Sequence, residues 1–196
     1  MLFLLTSKLG SGILCCITFI GESLMLTNTL EKGCEKEIER KFLLKNDSWK
    51  DMSHKSVEIE QYYFMDDDGV TCRVRRKGTK FLMTMKVKES AVTSKEYEFN
   101  IPEGVFIEFA KRSFGEIKKV RHYVLYASKL WEIDVFGGNN SGLVLAEIEL
   151  KSENESFEIP SFIEMEVTEN EEYKNVNLSK NKRSFYDYHK SLFYTY

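Results

Sequence analysis

From residue 35 onward, apolar and polar side chains alternate in short runs broken by polar turns. A β-strand sends successive side chains to opposite faces, so this period of two predicts strands rather than helices. Strands are predicted over 37–44, 57–65, 71–77, 80–88, 94–101, 118–126, 130–136 and 143–151, with a short piece over 164–168. Asp66-Asp67-Asp68-Gly69, Lys77-Gly78-Thr79 and Gly137-Gly138-Asn139-Asn140 carry turn chemistry between neighbouring runs, which favours antiparallel hairpins. Between the fifth and sixth strands the period changes. Val105, Phe106, Phe109 and Ala110 form a helical stripe that Pro102 opens and Gly115 ends.

The polar face of these strands is the informative one. Glu37, Glu39 and Lys41 share one face of the first strand, with Ile38 and Phe42 on the other. The same face carries Gln61 and Tyr63 on the second strand, Arg73 and Arg75 on the third, and Thr84, Lys86 and Lys88 on the fourth. Glu96 and Glu98 follow on the fifth, Lys119 and Arg121 on the sixth, Glu132 and Asp134 on the seventh, and Glu147 and Glu149 on the eighth; Glu164 and Glu166 close the series. Burying such groups costs several kcal/mol per ion unless they are paired, metal-bound or wet.

Two arrangements satisfy that constraint. With the charged face outward, the chain is a β-sandwich or small barrel with an apolar interior. With it inward, about eight strands close around a hydrated tunnel wide enough for one small ligand, and helices cover the apolar outside. The charges are sorted by strand: acidic on the first, fifth, seventh and eighth, basic on the third, fourth and sixth. Random surface decoration mixes signs, so the sorting favours the inward arrangement. The fold expected is mainly β with some helix (α+β), a closed eight-stranded antiparallel β-barrel forming a tunnel with flanking helices. The tail from Ser179, rich in Lys, Phe and Tyr, is expected to form a helix over an opening of that barrel or outside it.

Composition narrows the partner. The 196 residues suit one domain, and 42% hydrophobic with 30% charged content suits a soluble globular one. A net charge of −3 gives no global basic field, which argues against nucleic acid. Cys15, Cys16, Cys34 and Cys72 form no C-x-x-C pair, which implies a reducing, cytoplasmic setting without structural zinc. Residues 1–33 read as a leader or disordered segment outside the functional domain at 34–196, with Met25 as an alternative translation start. Their apolar runs are interrupted by Lys8, Gly10, Ser11, Gly12 and Glu22, too short for a stable membrane span.

Clustered Arg and Lys recognise phosphate oxygens, with Arg supplying a planar fork. Clustered carboxylates without His or Cys are hard oxygen ligands that suit Mg²⁺ or Mn²⁺. Together they describe a polyphosphate held by cations on one side and by divalent metal on the other. No glycine-rich phosphate loop of the Walker A kind is present.

In these residues the chain resembles the CYTH superfamily of triphosphate tunnel metalloenzymes. The family's Glu-x-Glu-x-Lys stands as Glu37-Ile38-Glu39-Arg40-Lys41, followed by Arg73-Val74-Arg75, Thr84-Met85-Lys86, Glu96-Tyr97-Glu98 and Lys119-Val120-Arg121. The match continues through Trp131 to Phe136, Gly142 to Leu150 and Glu166-Val167-Thr168 to Asn175. The resemblance implies metal binding by Glu37, Glu39, Asp134, Glu147 and Glu149, with Glu96 and Glu98 in support. It implies triphosphate binding by Lys41, Arg73, Arg75, Lys86, Lys119 and Arg121. Three departures are Ser94 where relatives carry a basic residue, Gln61-Tyr62-Tyr63 where they carry Gln-Gly-Tyr, and Asn170 where they carry Asp.

The expected activity is metal-dependent hydrolysis of the terminal phosphoanhydride of inorganic triphosphate or a related nucleoside or organic triphosphate. Class IV adenylate cyclase, thiamine triphosphatase and non-catalytic polyphosphate binding are the alternatives. Lys41, crowded by cations, would act as a general base oriented by Tyr63, or simply as a phosphate ligand. The protein is expected as a monomer or homodimer.

Overall fold

The structure, a computed structural model, describes residues 34–181, so the leader at 1–33 and most of the tail helix expected from Ser179 lie outside the described residues. Every predicted strand forms: β1 (Cys34–Leu44), β2 (Ser53–Asp67), β3 (Val70–Lys77), β4 (Lys80–Lys88), β5 (Thr93–Asn100), β6 (Gly115–Tyr126), β7 (Lys129–Gly137), β8 (Val144–Glu149) and β9 (Ile163–Glu166). The predicted helix is α1 (Glu103–Lys111), and a short α2 (Asn175–Ser179) follows β9.

Neighbouring strands run β5-β4-β3-β2-β6-β7-β8-β1, and β1 pairs back onto β5 to close an eight-stranded barrel; β9 adds as a ninth strand beside β1. All pairings are antiparallel. The β2–β3 turn places Asp68 and Gly69 at φ of 45° and 75°, the left-handed pair that a tight hairpin requires. The β6–β7 turn does the same with Ala127 and Ser128, at 46° and 64°.

The alternation resolves inward for charge and outward for grease. Ile38, Phe42, Val124, Trp131, Ile133, Ala146 and Ile148 form one buried cluster on the outer side of β1, β6, β7 and β8, beneath Trp49 and Phe162. Phe157 lies edge-on to Phe42 and Trp131. Over β2–β4 the cover is α1, whose Phe106 meets Tyr62 and Phe81 at 5.7 and 5.2 Å while Phe109 meets Phe64 at 4.6 Å. Burial of side chains this large is worth roughly 2–3 kcal/mol each, so the outer layer holds the wall in shape around an interior that cannot be apolar.

A second cluster fills one end of the lumen. Tyr63, Ile117, Phe136, Leu143 and Leu145 gather there with Val167, Tyr173 and Leu178 of the C-terminal segment. Phe136 therefore points away from the face of Trp131, as its opposite parity on β7 demands. Gly115 admits this segment: a Cβ there would lie 2.5 Å from Ser179 Oγ and 2.6 Å from its carbonyl oxygen. Gly115→Ala is expected to cost about 1–3 kcal/mol by overpacking against backbone. Urea denaturation checks it, and an unchanged midpoint would refute the packing. No helix among the described residues is long and apolar enough to cross a membrane.

Candidate active site

The barrel encloses a cavity of about 350 Å³, within the range of small-molecule sites. Glu37, Glu39 and Lys41 of β1, Tyr63 of β2, Arg73 and Arg75 of β3, Lys86 of β4, Glu96 of β5, Lys119 and Arg121 of β6, and Glu147 and Glu149 of β8 all face it. Thr71, Lys77, Glu132 and Ser94 join them, and so do Glu171, Lys174 and Asn175 near α2. Of the residues expected at the site, Asp134 and the supporting Glu98 are not on the wall.

Closure sorts the charges. The acidic strands β7, β8, β1 and β5 become consecutive around the barrel, and the basic strands β4, β3 and β6 occupy the rest with β2 among them. Ion pairs stitch the seams. Lys86 pairs with Glu37 and lies 3.4 Å from Glu96, Arg73 lies 3.7 Å from Glu96, and Arg75 pairs with Glu98. The Nε groups of Arg73 and Arg75 are buried without a hydrogen-bond partner, leaving donors aimed at an anion.

Asp134, expected in the metal set, is not among the residues that line the cavity. It is fully buried behind the wall, and it accepts from Lys119 Nζ at 2.5 Å and from Arg121 Nε and Nη2 at 2.7 and 2.6 Å. Both oxygens accept from these two cations, so Asp134 fixes the Lys119 and Arg121 side chains. Glu147 is held similarly, by Lys41 and by Arg121 Nη2 at 2.6 Å. Burial alone would raise its pKa, but Lys41, Lys119 and Arg121 hold it well below the carboxylate range.

Lys41 stands in surroundings other than those expected. Burial would lower its pKa, as a general base needs, yet Glu147 and Glu39 beside it, the latter at 2.6 Å, override burial and raise it. Its ion-pair partners are the carboxylates Glu39 and Glu147, not cations. Tyr63 does not orient it: the phenol hydroxyl accepts from Gln61 Nε2 at 3.2 Å and from Arg73 Nη1 at 3.4 Å. Glu166 also leaves the expected series, pairing with Arg40 on the outer face of β1. Ser94 and Asn170 each keep a structural task, donating to Glu37 at 3.1 Å and capping the turn before α2.

The remaining carboxylates are in surplus. Glu149 is pushed up to about 7, first by burial and then by Glu132, Glu37 and Glu39. Glu39 is raised by burial and by Glu147 despite Lys41. No group of three carboxylates among the described residues already stands at metal-binding distances. The chemistry of the donor set nonetheless fits a hard divalent cation, because Glu37, Glu39 and Glu149 are oxygen-only groups close enough together for Glu37 and Glu39 to raise the pKa of Glu149.

The CYTH domain family model matches residues 35–185. An inorganic triphosphatase of Acetivibrio thermocellus is 38% identical over 148 residues, covering 74% of this chain and 94% of the relative. An inorganic triphosphatase of Nitrosomonas europaea is 35% identical over 148 residues, covering 73% and 96%. A crystal structure of an inorganic triphosphatase superposes with a TM-score of 0.58 at 32% identity, covering 75% of this chain and 96% of that one.

Proposed function

Because the chain belongs to the CYTH domain family, we propose that it is a hydrolase of inorganic triphosphate that uses Mg²⁺ or Mn²⁺. The observation that carries this reading is the division of one enclosed cavity into a carboxylate arc and a guanidinium–ammonium arc. A polyphosphate is the ligand that needs both, since its oxygens must be neutralised from every side.

Arg73, Arg75, Lys86 and Arg121 bind the phosphate chain and offset the charge that develops on the transferring phosphoryl group. That electrostatic work is most of what an enzyme can contribute to phosphoryl transfer. Lys119 and Arg121 are held rigid by Asp134, so they meet the substrate without reorganising. Glu37, Glu39 and Glu149 would hold a divalent cation, with Glu147 at the edge of the set. When bound, it supplies a Lewis acid to the phosphoryl oxygens and a lowered pKa to coordinated water. Lys41 acts as a cation that bridges Glu39 and Glu147 and faces the chain of phosphates. A proton-accepting role would require those two carboxylates to be drawn away from it.

Phosphate release from inorganic triphosphate, with Mg²⁺, with Mn²⁺ and with EDTA, tests the assignment. Turnover with metal and loss of at least about a hundredfold on chelation are expected. Cyclic AMP from ATP without phosphate release would instead make the chain a cyclase, and tight binding without turnover would make it a binding module.

A further inference from the structure

We infer that Lys77 is a specificity residue that favours an inorganic triphosphate over a nucleoside triphosphate; this rests on the triphosphatase reading. Lys77 ends β3 and faces the cavity in register with Thr71, Arg73 and Arg75. Among the described residues it is the one Lys or Arg on the cavity wall with no carboxylate within ion-pair distance. Burial and the neighbouring Arg75 and Arg121 also lower its pKa, outweighing the more distant Glu132 and Glu98, neither of which is within ion-pair distance.

Its position gives the missing counter-charge an identity. At a rise of about 3.3 Å per residue, Thr71 and Lys77 lie roughly 20 Å apart along β3, so they mark opposite ends of the cavity. The Thr71 end is crossed by the C-terminal segment: Glu171 there pairs with Lys174 at 2.5 Å and with Lys88 at 3.1 Å, and Lys180 pairs with Asp66 at 2.5 Å. Apolar side chains also fill the lumen around Tyr63, Leu178 and Tyr173 on that side. None of these contacts lies at the Lys77 end, which leaves that end for a group attached to a triphosphate.

An inorganic triphosphate presents a terminal phosphate there. A terminal phosphate of this kind carries roughly −1.5 to −2 charge at neutral pH. A nucleoside triphosphate presents at the same place a phosphodiester-like group of single charge, followed by a neutral sugar. An unpaired ammonium at this end rewards the first and is indifferent to the second.

The test compares wild type, Lys77→Gln and Lys77→Arg, all with Mg²⁺. It measures KM for inorganic triphosphate and the inhibition constant of ATP against that reaction. Calorimetric binding of triphosphate and of ATP gives a readout that needs no turnover, and thermal melting confirms that the variants fold. Lys77→Gln is expected to weaken triphosphate about tenfold and ATP less than about twofold, with Lys77→Arg restoring the preference. Unchanged triphosphate affinity, or equal weakening of both ligands, overturns the inference. Wild-type binding without hydrolysis would sink the triphosphatase reading while the Lys77 comparison still decided this one.

Discussion

Glu39→Gln and Glu149→Gln are each expected to lower kcat/KM for inorganic triphosphate by about 10²–10³, a loss comparable to removing one preorganised group from a transition-state site. The two carboxylates stand where charge is in excess, Glu149 pushed up to about 7 by burial and by three acidic neighbours. Neutralising either removes a metal donor and a source of repulsion together. Metal-free Glu149→Gln should therefore melt no lower than wild type, whereas Glu39→Gln also removes a partner of Lys41 and should melt lower; in both, Mg²⁺ affinity by calorimetry falls at least tenfold. That combination separates a metal-binding carboxylate from a structural one. Activity within threefold of wild type would remove both residues from the metal set.

Asp134→Asn should behave in the opposite way. Its side chain is wholly buried and satisfies Lys119 and Arg121, so its neutralisation leaves two buried cations under-compensated. Breaking a buried pair by changing one partner typically costs 3–5 kcal/mol. A loss of about 3 kcal/mol in urea denaturation is expected, with a raised KM for triphosphate as Arg121 and Lys119 lose their support. Mg²⁺ affinity should stay within twofold. A large fall in Mg²⁺ affinity at unchanged stability would return Asp134 to the ligand set and show that the wall reorganises on metal binding.

Asp134 marks the boundary of what alternation can reveal. Asp134 and Glu132 have the same parity on the same strand, and only Glu132 reaches the cavity. Parity assigns a face; it does not say whether a side chain ends at the ligand or at a neighbouring cation. Lys77 shows the reverse. It shares the parity of Arg73 and Arg75 and was open to detection by the same rule, but it lies at a strand end beside a turn, where an exposed lysine is the ordinary expectation. Lys174 and Asn175 reach the cavity from a segment with no strand pattern at all, and nothing local in their sequence signals it.

Lys41 illustrates a third gap. A lysine in a strand of known parity can be placed in the interior from sequence, but its proton affinity depends on which charges come within a few ångströms. The β1–β8 register sets Lys41 opposite Glu147, and that pairing raises its pKa where crowding by cations would have lowered it.

By itself, the order of residues determined the strands, the face each charge occupies and the separation of acids from bases by strand, because a pleated backbone converts a period of two into two faces. Only the tertiary structure decided that β1 closes on β5 and β2 pairs with β6, which makes the acidic strands contiguous and gives the cavity two chemically distinct walls. It also decided which charges neutralise one another and which are left for a ligand. Those outcomes depend on distances between residues far apart in the chain, and short-range alternation carries no information about them.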